Sequence, residues 1–583
     1  MKKNGAATGS RGHGARETAL RILIEMERNA AYSDVAIRRH TRNAAARGAA
    51  VNIVDDTAED TFTDTVAYTF TGAVTETRDA REQALVRELV YGVAKWKLTL
   101  DHIIFTYSKI KKEKIATEIL TILRIAVYQI AFLSRIPHYA ACDECVRLAK
   151  KYGNEGSVKY VNAMLRKIAA ENIAMRDRFA GTDEIISSGA GGDGEEKAGV
   201  LGAAEPSGIA EADTAKTATT GADATNTATT SSGAAGEGAA EAGGEMPGPL
   251  MALAAADGVW VACAGKEPAV RLAKHLSVRY SYPYWLCEKW SGRYGREFAS
   301  ALMDAGNQRP ALGIRVNATK ISAENLMDRL NSRGFGAVPG RYAKNSLTLQ
   351  NPSDFSNSEE FRRGLFSVQD ESSMLCVEAL DPRESDAVLD LCAAPGGKSA
   401  YIAEITNDKA RVLAADIRAH RISLMERNAA RLGLTSIKAV IMDASKFDAR
   451  LRGAMDRVLL DAPCSGFGVI RKKPEIKWNR TREDIGAIAR AQSAMLAAAA
   501  GYVKPGGALV YSVCTFEPEE CEDVVNAFLR EAHGFFCEDL SGRLPAALWD
   551  DVPRGGGAGL YIYPHIHRID GFYIALLRRN ANG

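Results

Sequence analysis

Cysteine is scarce in this 583-residue chain: 10 residues, scattered from Cys142 to Cys537. That density excludes a cystine-stapled scaffold and leaves any special cysteine to act as a thiol. Long apolar runs are missing too, with none of about 18 residues, so no segment is expected to cross a bilayer as a helix. The opening "MKKNGAATGSRGHGARETAL" has basic residues without the apolar core of a secretory signal, and the expected location is the cytoplasm. Cys142 and Cys145 in "CDEC" have a metal-hook spacing, but no second Cys or His pair follows at zinc spacing. They read as two buried helix cysteines, and no metal is expected.

Aromatic residues are absent between Phe179 and Trp260, where Ala, Gly, Thr, Ser and Glu dominate. Such a stretch cannot bury enough surface to offset its ordering entropy, so residues 182–250 are predicted to be a disordered linker. Net charge of one sign is also small, +2 overall, yet residues 182–245 hold 12 Asp and Glu against 2 Lys, net −10. The remaining chain is therefore about 2 + 10 = +12, a balance compatible with a nucleic-acid partner.

What is present divides at that linker. Residues 14–180 contain "ETALRILIEME", "REQALVRELVYGVAKWKLTLDHIIF", "IATEILTILRIAVYQIAFL" and "AACDECVRLAKKY", with apolar residues at three-and-four spacing. This predicts an all-α domain, interrupted by an inserted loop at about 41–80. Lys109, Lys111, Lys112 and Lys114 form a basic cluster that suits either phosphate or a solvated helix entry. Residues 270–380 mix helical segments with short strands such as "ALGIRVNA" and "LFSVQD", a small α+β module. Residues 381–583 alternate strand and helix: "AVLDLCAA", "ARVLAADI", "IKAVIMDA", "DRVLLDAP" and "GALVYSVCT". That alternation predicts an α/β domain with a parallel sheet covered on both faces.

In such a sheet the ligand crevice lies beyond the carboxyl ends of the strands, near the switch in strand order. "LDLCAAPGGKS" falls there, and its small residues Ala393, Ala394, Gly396 and Gly397 allow backbone N–H groups to approach a ligand ahead of a helix N-terminus. Asp416, 26 positions after Asp390, ends the second strand where a carboxylate can accept both ribose hydroxyls. Asp443 ends the third, within reach of an adenine edge. No G-x-G-x-x-G opens a helix after a strand and no GxxxxGK[ST] occurs, so the nucleoside cofactor expected is S-adenosylmethionine.

Cys464 and Cys514 end the fourth and fifth strands, facing the same crevice beside Asp461 and Pro463. A thiol there has a chemical use. Carbon 5 of cytosine takes a methyl group only after a thiolate adds to carbon 6 and pushes electron density across the ring. Asp461 at ring N3 would stabilise the adduct. The carbon-5 proton must then leave and the thiol be expelled, which gives a second group, Cys464, a task.

"LCAAPGGKS", "DAPCSGFGVIRKKPEIKW" and "YSVCTFEPEE" together resemble the RsmB/Sun family of RNA cytosine-5 methyltransferases. "GLFSVQDESSMLC" and "RVNATK" resemble that family's pre-catalytic module, "IDGFYIALLRR" its closing strand, and the N-terminal helical segments its NusB-like RNA-binding domain. The resemblance implies a multidomain fold: a NusB-like all-α domain, an α+β module, and a Rossmann-like class I methyltransferase domain. It implies that Cys392, Ala393, Ala394, Pro395, Gly396, Gly397 and Lys398 hold the methionine end of the cofactor. Asp416 and Asp443 would take ribose and adenine, and Asp461 would sit between cofactor and base. Cys514 would be the nucleophile and Cys464 would assist product release. The implied substrate is an unpaired or flipped cytosine of 16S ribosomal RNA, held by the helical domain and by Arg471, Lys472, Lys473 and Lys477, with the enzyme acting as a monomer. A transfer-RNA cytosine-5 methyltransferase is the nearest alternative, and a non-catalytic RNA-binding antitermination factor a more distant one. Phe467 departs from the family, which has a small or hydroxyl residue there.

Overall fold

The computed structural model describes residues 14–29, 33, 35–37, 40, 80–180, 268–352, 355–550, 552 and 558–581. The insertion expected at 41–80, apart from residue 80, and the linker expected at 182–250 lie outside the described residues.

The N-terminal half is helical: α1 (Ala15–Asn29), α2 (Ala80–Tyr107), α3 (Thr117–Phe132), α4 (His138–Tyr152) and α5 (Glu155–Ala180). α3, "TEILTILRIAVYQIAF", is buried at every position from Ile119 to Ala131, as a helix apolar on all sides must be, and the others pack around it. Its one buried charge, Arg124, is satisfied by a fork on Asp101 of α2 (2.6 and 2.9 Å) and by Glu27 of α1 (2.6 Å). Three helices are thereby fixed in register, because losing one partner would strand a buried charge. On α4, Cys145 is fully buried and its thiol is pushed up to about 12 by that burial, while Cys142 is half-buried. Among the described residues no group of His, Cys, Asp and Glu could hold a metal, and no helix is long and apolar enough to cross a membrane.

After α6 (Pro268–Tyr280) and α7 (Tyr284–Asn307) comes a four-stranded antiparallel sheet of order β2-β3-β1-β4. Its strands are β1 (Leu312–Val316), β2 (Ala337–Pro339), β3 (Ser346–Leu349) and β4 (Phe366–Val368), and α8 (Ala323–Ser332) covers it. The module has its own core of Ile314, Leu326, Leu347 and Phe366, whereas α6 buries Leu276, and α7 Trp290 and Leu302, in the core of the following domain.

That domain begins with α9 (Glu371–Leu380) and continues β5 (Ala387–Leu391), α10 (Gly397–Ile405), β6 (Arg411–Asp416), α11 (Ala419–Leu432), β7 (Ile437–Ile441), β8 (Met455–Asp461), α12 (Arg482–Ala500), β9 (Val503–Val513), α13 (Glu522–Glu531), β10 (Phe535–Glu538), β11 (Leu560–Ile562) and β12 (Phe572–Arg579). The sheet order is β10-β12-β9-β8-β5-β6-β7, with β11 also on β12. The five strands β5 to β9 pair in parallel as expected, and β10, β11 and β12 add an antiparallel edge. The chain winds outward from β5 to β7, then crosses back to β8 on the other side of β5. Neighbouring connections therefore diverge at the carboxyl ends of β5 and β8, and a crevice opens there.

Two expectations about basic residues are corrected. Lys477 does not face solvent: it is fully buried, donates to the Lys95 carbonyl at 2.8 Å and to Asn307 Oδ1 at 3.1 Å, and lies 4.3 Å from the centre of the Tyr282 ring. Burial, and after it the Lys95 charge, holds its ammonium well below the lysine range. Arg471 and Lys472 are committed to Asp370 and Asp570, with Arg471–Asp570 at 2.8 Å and Lys472–Asp370 at 2.7 Å. The carboxylates lie about a hundred positions away in sequence, so a run of basic residues gave no sign of its neutralisation. Instead, residues 475–478 are where the helical half docks. Trp478 Nε1 donates to the Ala94 carbonyl of α2 (2.7 Å), and Glu475 accepts both the backbone N–H (2.9 Å) and the hydroxyl (3.0 Å) of Ser33.

Candidate active site

The loop after β5 is bare because backbone and helix leave no room. Cys392 adopts a left-handed conformation, φ 59°, and Gly396 another, φ 94°, as the N-cap of α10. A Cβ at Gly396 would lie 3.2 Å from Met425 of α11 in a backbone region that costs a side-chain-bearing residue about 1–2 kcal/mol. The Ala393 N–H reaches the Ala415 carbonyl at the end of β6, 2.8 Å away, and pins the loop across two strand ends. The amides of the first turn of α10 are thereby presented to the crevice, the arrangement that receives negative charge or lone pairs.

From outside the domain, buried Arg315 of β1 grips the same helix. It pairs with Glu404 of α10 through two bonds of 2.8 Å and donates from Nη1 to the Gly397 carbonyl at 2.7 Å. The small module thus holds the start of α10 in place. Lys398 turns back into the crevice and pairs with Asp461 at the end of β8 (2.5 Å), whose other oxygen accepts the Ser512 hydroxyl at 2.9 Å. Burial alone would lower the Lys398 ammonium, but the charge and hydrogen bond of Asp461 together with Cys376 and Asp390 outweigh it, and the ammonium stands above its ordinary range. Asp390, inside β5, accepts the Ser399 hydroxyl at 2.5 Å and is pushed up to about 7 by burial.

Cys464 and Cys514 meet across the ends of β8 and β9 with their sulfurs 3.0 Å apart. Cys464 is 3% exposed and Cys514 half-buried at the opening. Burial, reinforced by the hydrogen bond to Cys514, pushes the Cys464 thiol well up. Cys464 is thereby kept as a thiol, and Cys514, the more exposed of the two sulfurs, is the one open to a reactant. Both sulfurs, Asp461, Lys398 and residues 392–395 line one cleft.

Of the remaining predicted positions, Gly397 lines that cleft, whereas Gly396, Asp416 and Asp443 do not. Asp416, 3% exposed, accepts the Arg418 N–H at 3.0 Å and stands 3.7 Å from Arg421. Asp443 accepts the Ser445 hydroxyl at 2.6 Å, and that bond, with Lys446, holds its carboxyl below the usual range. They mark the next two strand ends, where a ligand extending out of the cleft over β6 and β7 would pass. Phe467 does not face the cleft at all. It is 2% exposed and packs on Trp285 and Trp290 of α7, ring centres 6.2 and 6.0 Å away, so its departure in size serves the seam with α7. Sequence reasoning missed Ser512, Arg315, Gln492 and Glu520. Ser512, Arg315 and Gln492 signal only as polar residues inside largely apolar runs, and Glu520 only as one of several acids in "FEPEECED", which does not tell which distant group each satisfies.

Comparison with known proteins finds relatives for each part of the chain. Residues 377–578 match the family described as 16S rRNA methyltransferase RsmB/F, residues 44–170 the NusB family, and residues 282–356 the ferredoxin-like domain of RsmF/B-like methyltransferases. The probable ribosomal RNA small subunit methyltransferase B of Bacillus subtilis (strain 168) is 30% identical over 569 residues, covering 97% of this chain and 99% of the relative. Ribosomal RNA small subunit methyltransferase B of Citrobacter koseri is 35% identical over 302 residues, 51% of this chain and 67% of the relative. The crystal structure of PH0851 superposes with a TM-score of 0.63 at 20% identity, covering 98% of this chain and 100% of the other, a likeness of fold.

Proposed function

The chain belongs to the RsmB/F family of 16S rRNA methyltransferases, with a NusB domain ahead of its catalytic half, and from this membership we propose that it methylates carbon 5 of a cytosine in 16S rRNA through a transient Cys514–carbon 6 bond. The observation that carries the reading is the pair of sulfurs 3.0 Å apart in the cleft that also contains Asp461 and the small-residue loop.

S-adenosylmethionine, when bound, supplies the sulfonium methyl group. The loop fits it: Ala393, Ala394 and Gly396 admit close approach, the α10 N-terminus and Lys398 suit a carboxylate, and Asp416 and Asp443 suit ribose and adenine. The Cys514 thiolate adds to carbon 6, forming a C–S bond and moving the ring electrons onto carbon 5, which becomes the methyl acceptor. N3 gains a proton from solvent, and Asp461, oriented by Lys398 and Ser512, accepts the resulting N3–H hydrogen bond. Release requires the carbon-5 proton to pass to a solvent base while the C6–S bond breaks and its electron pair returns to the Cys514 sulfur, and N3 gives its added proton back to solvent to leave neutral 5-methylcytosine. The Cys464 S–H protonates that departing sulfur and is restored from solvent. A paired base cannot reach these sulfurs, so the target cytosine is unpaired or flipped, and the reaction belongs to the cytoplasm, where 16S rRNA is found.

Bisulfite sequencing of RNA from cells lacking the gene tests the substrate. One 16S cytosine is expected to lose its mark; an intact 16S profile with a transfer-RNA mark lost would replace this reading by the transfer-RNA one.

A further inference from the structure

Cys464 lies in irregular chain beyond β8, and its distance from Cys514 has to be set by something other than the sheet ladder. Both of its neighbours are held from one place. Gln492 of α12 donates from Nε2 to the Pro463 carbonyl at 2.9 Å and to Glu520 Oε2 at 3.1 Å. The same Glu520 oxygen accepts the Ser465 N–H at 2.7 Å. The Ser465 hydroxyl is 2.9 Å from that of Thr515, the residue after Cys514, and the Glu520 carbonyl accepts the Tyr511 hydroxyl of β9 at 2.7 Å. Glu520 and Gln492 are both 0% exposed.

Among the described residues no Lys or Arg pairs with Glu520, and its Oε1 is buried without a hydrogen-bond partner. Burial pushes this carboxyl up to about 7. A carboxyl so placed costs stability; what it adds is one oxygen that gathers the Ser465 amide and the Gln492 side chain at a single point.

We propose that Glu520, acting with Gln492, is a positioning residue for product release: it holds the Cys464 sulfur within hydrogen-bond reach of Cys514 while the C6–S bond breaks. This rests on the thiol roles proposed above. The test uses the full chain, a 16S rRNA transcript and S-adenosylmethionine, comparing Glu520→Ala, Glu520→Gln and Gln492→Ala with the parent and with Cys464→Ala. In Glu520→Ala the first turnover is expected to stay within about threefold of the parent while steady-state turnover falls about tenfold or more. A covalent protein–RNA band should accumulate as it does in Cys464→Ala. Glu520→Gln, which keeps the shape and an accepting oxygen, should recover most of the turnover, and Glu520→Ala added to Cys464→Ala should have no further effect.

Equal slowing of first and later turnovers, no trapped band where Cys464→Ala traps one, or an additive double variant would overturn the proposal. If Glu520→Ala does not fold, the same readings on Gln492→Ala decide it. A Cys464→Ala enzyme that traps no adduct would overturn the thiol assignment itself, and this proposal with it.

Discussion

At the scale of single residues, the two sulfurs differ by environment alone. Cys514 is half-buried at the cleft and Cys464 is almost fully buried beside it, so identical side chains take different tasks. Cys514→Ala is expected to abolish both methyl transfer and adduct formation, and Cys464→Ala to leave a gel-shifted covalent complex; reversed phenotypes would exchange the two roles. Asp390 offers a second prediction. Its carboxyl is near 7 in the fold and near 4 unfolded, so the folded state binds the proton more tightly. That stabilisation is full below about pH 4 and is lost as pH rises toward about 7. Asp390→Asn can still accept the Ser399 hydroxyl and should flatten this part of the stability curve by an amount on the order of 4 kcal/mol, read from denaturant midpoints across pH. The thiols were legible because cysteine at a strand end is chemically distinctive. Asp390 was not, since an acidic residue in a strand announces neither its burial nor its partner.

At the scale of elements, the loop between β5 and α10 was legible from its small residues, but the reason Gly396 must be glycine lies in α11. Gly396→Ala should weaken S-adenosylmethionine binding about tenfold or more, measured by calorimetry, because the N-cap would have to leave its left-handed conformation. Arg315 shows what pattern reading cannot see: a strand residue of one module holding the helix that opens the site in another. Removing it as Arg315→Met leaves Glu404 buried and unpaired and should cost about 3–5 kcal/mol of stability. Residues 471–478 show the same limit from the other side. Lys477→Met should leave RNA affinity and its salt dependence unchanged, and should keep or raise stability, since it removes a buried ammonium without a carboxylate partner. A salt slope reduced by about one would return Lys477 to the phosphate-binding role.

For the whole molecule, the helical half and the catalytic half share a polar and aromatic seam of Trp478, Glu475, Lys477, Ser33 and α2, none of which lines the thiol cleft. Trp478→Ala should raise hydrogen exchange in α2 near Ala94 and lower affinity for 16S rRNA while leaving the rate from bound substrate within about twofold, because the seam touches no reacting group. An equal loss of the chemical rate would show that docking also shapes the cleft.

Order of domains, the parallel run of strands, the small-residue loop and the two strand-end cysteines were all determined by the sequence. These follow from apolar periodicity, backbone sterics and side-chain chemistry, which are local properties that a linear text displays. Tertiary structure alone decided which cysteine is the more exposed, that Lys398 and Asp461 hold each other, that residues 475–478 form a docking seam, and that Glu520 and Gln492 clamp the neighbours of Cys464. Each of these depends on burial and on a partner tens to hundreds of positions away, and the electrostatic cost of burying a charge is set by the surroundings of the group rather than by its type.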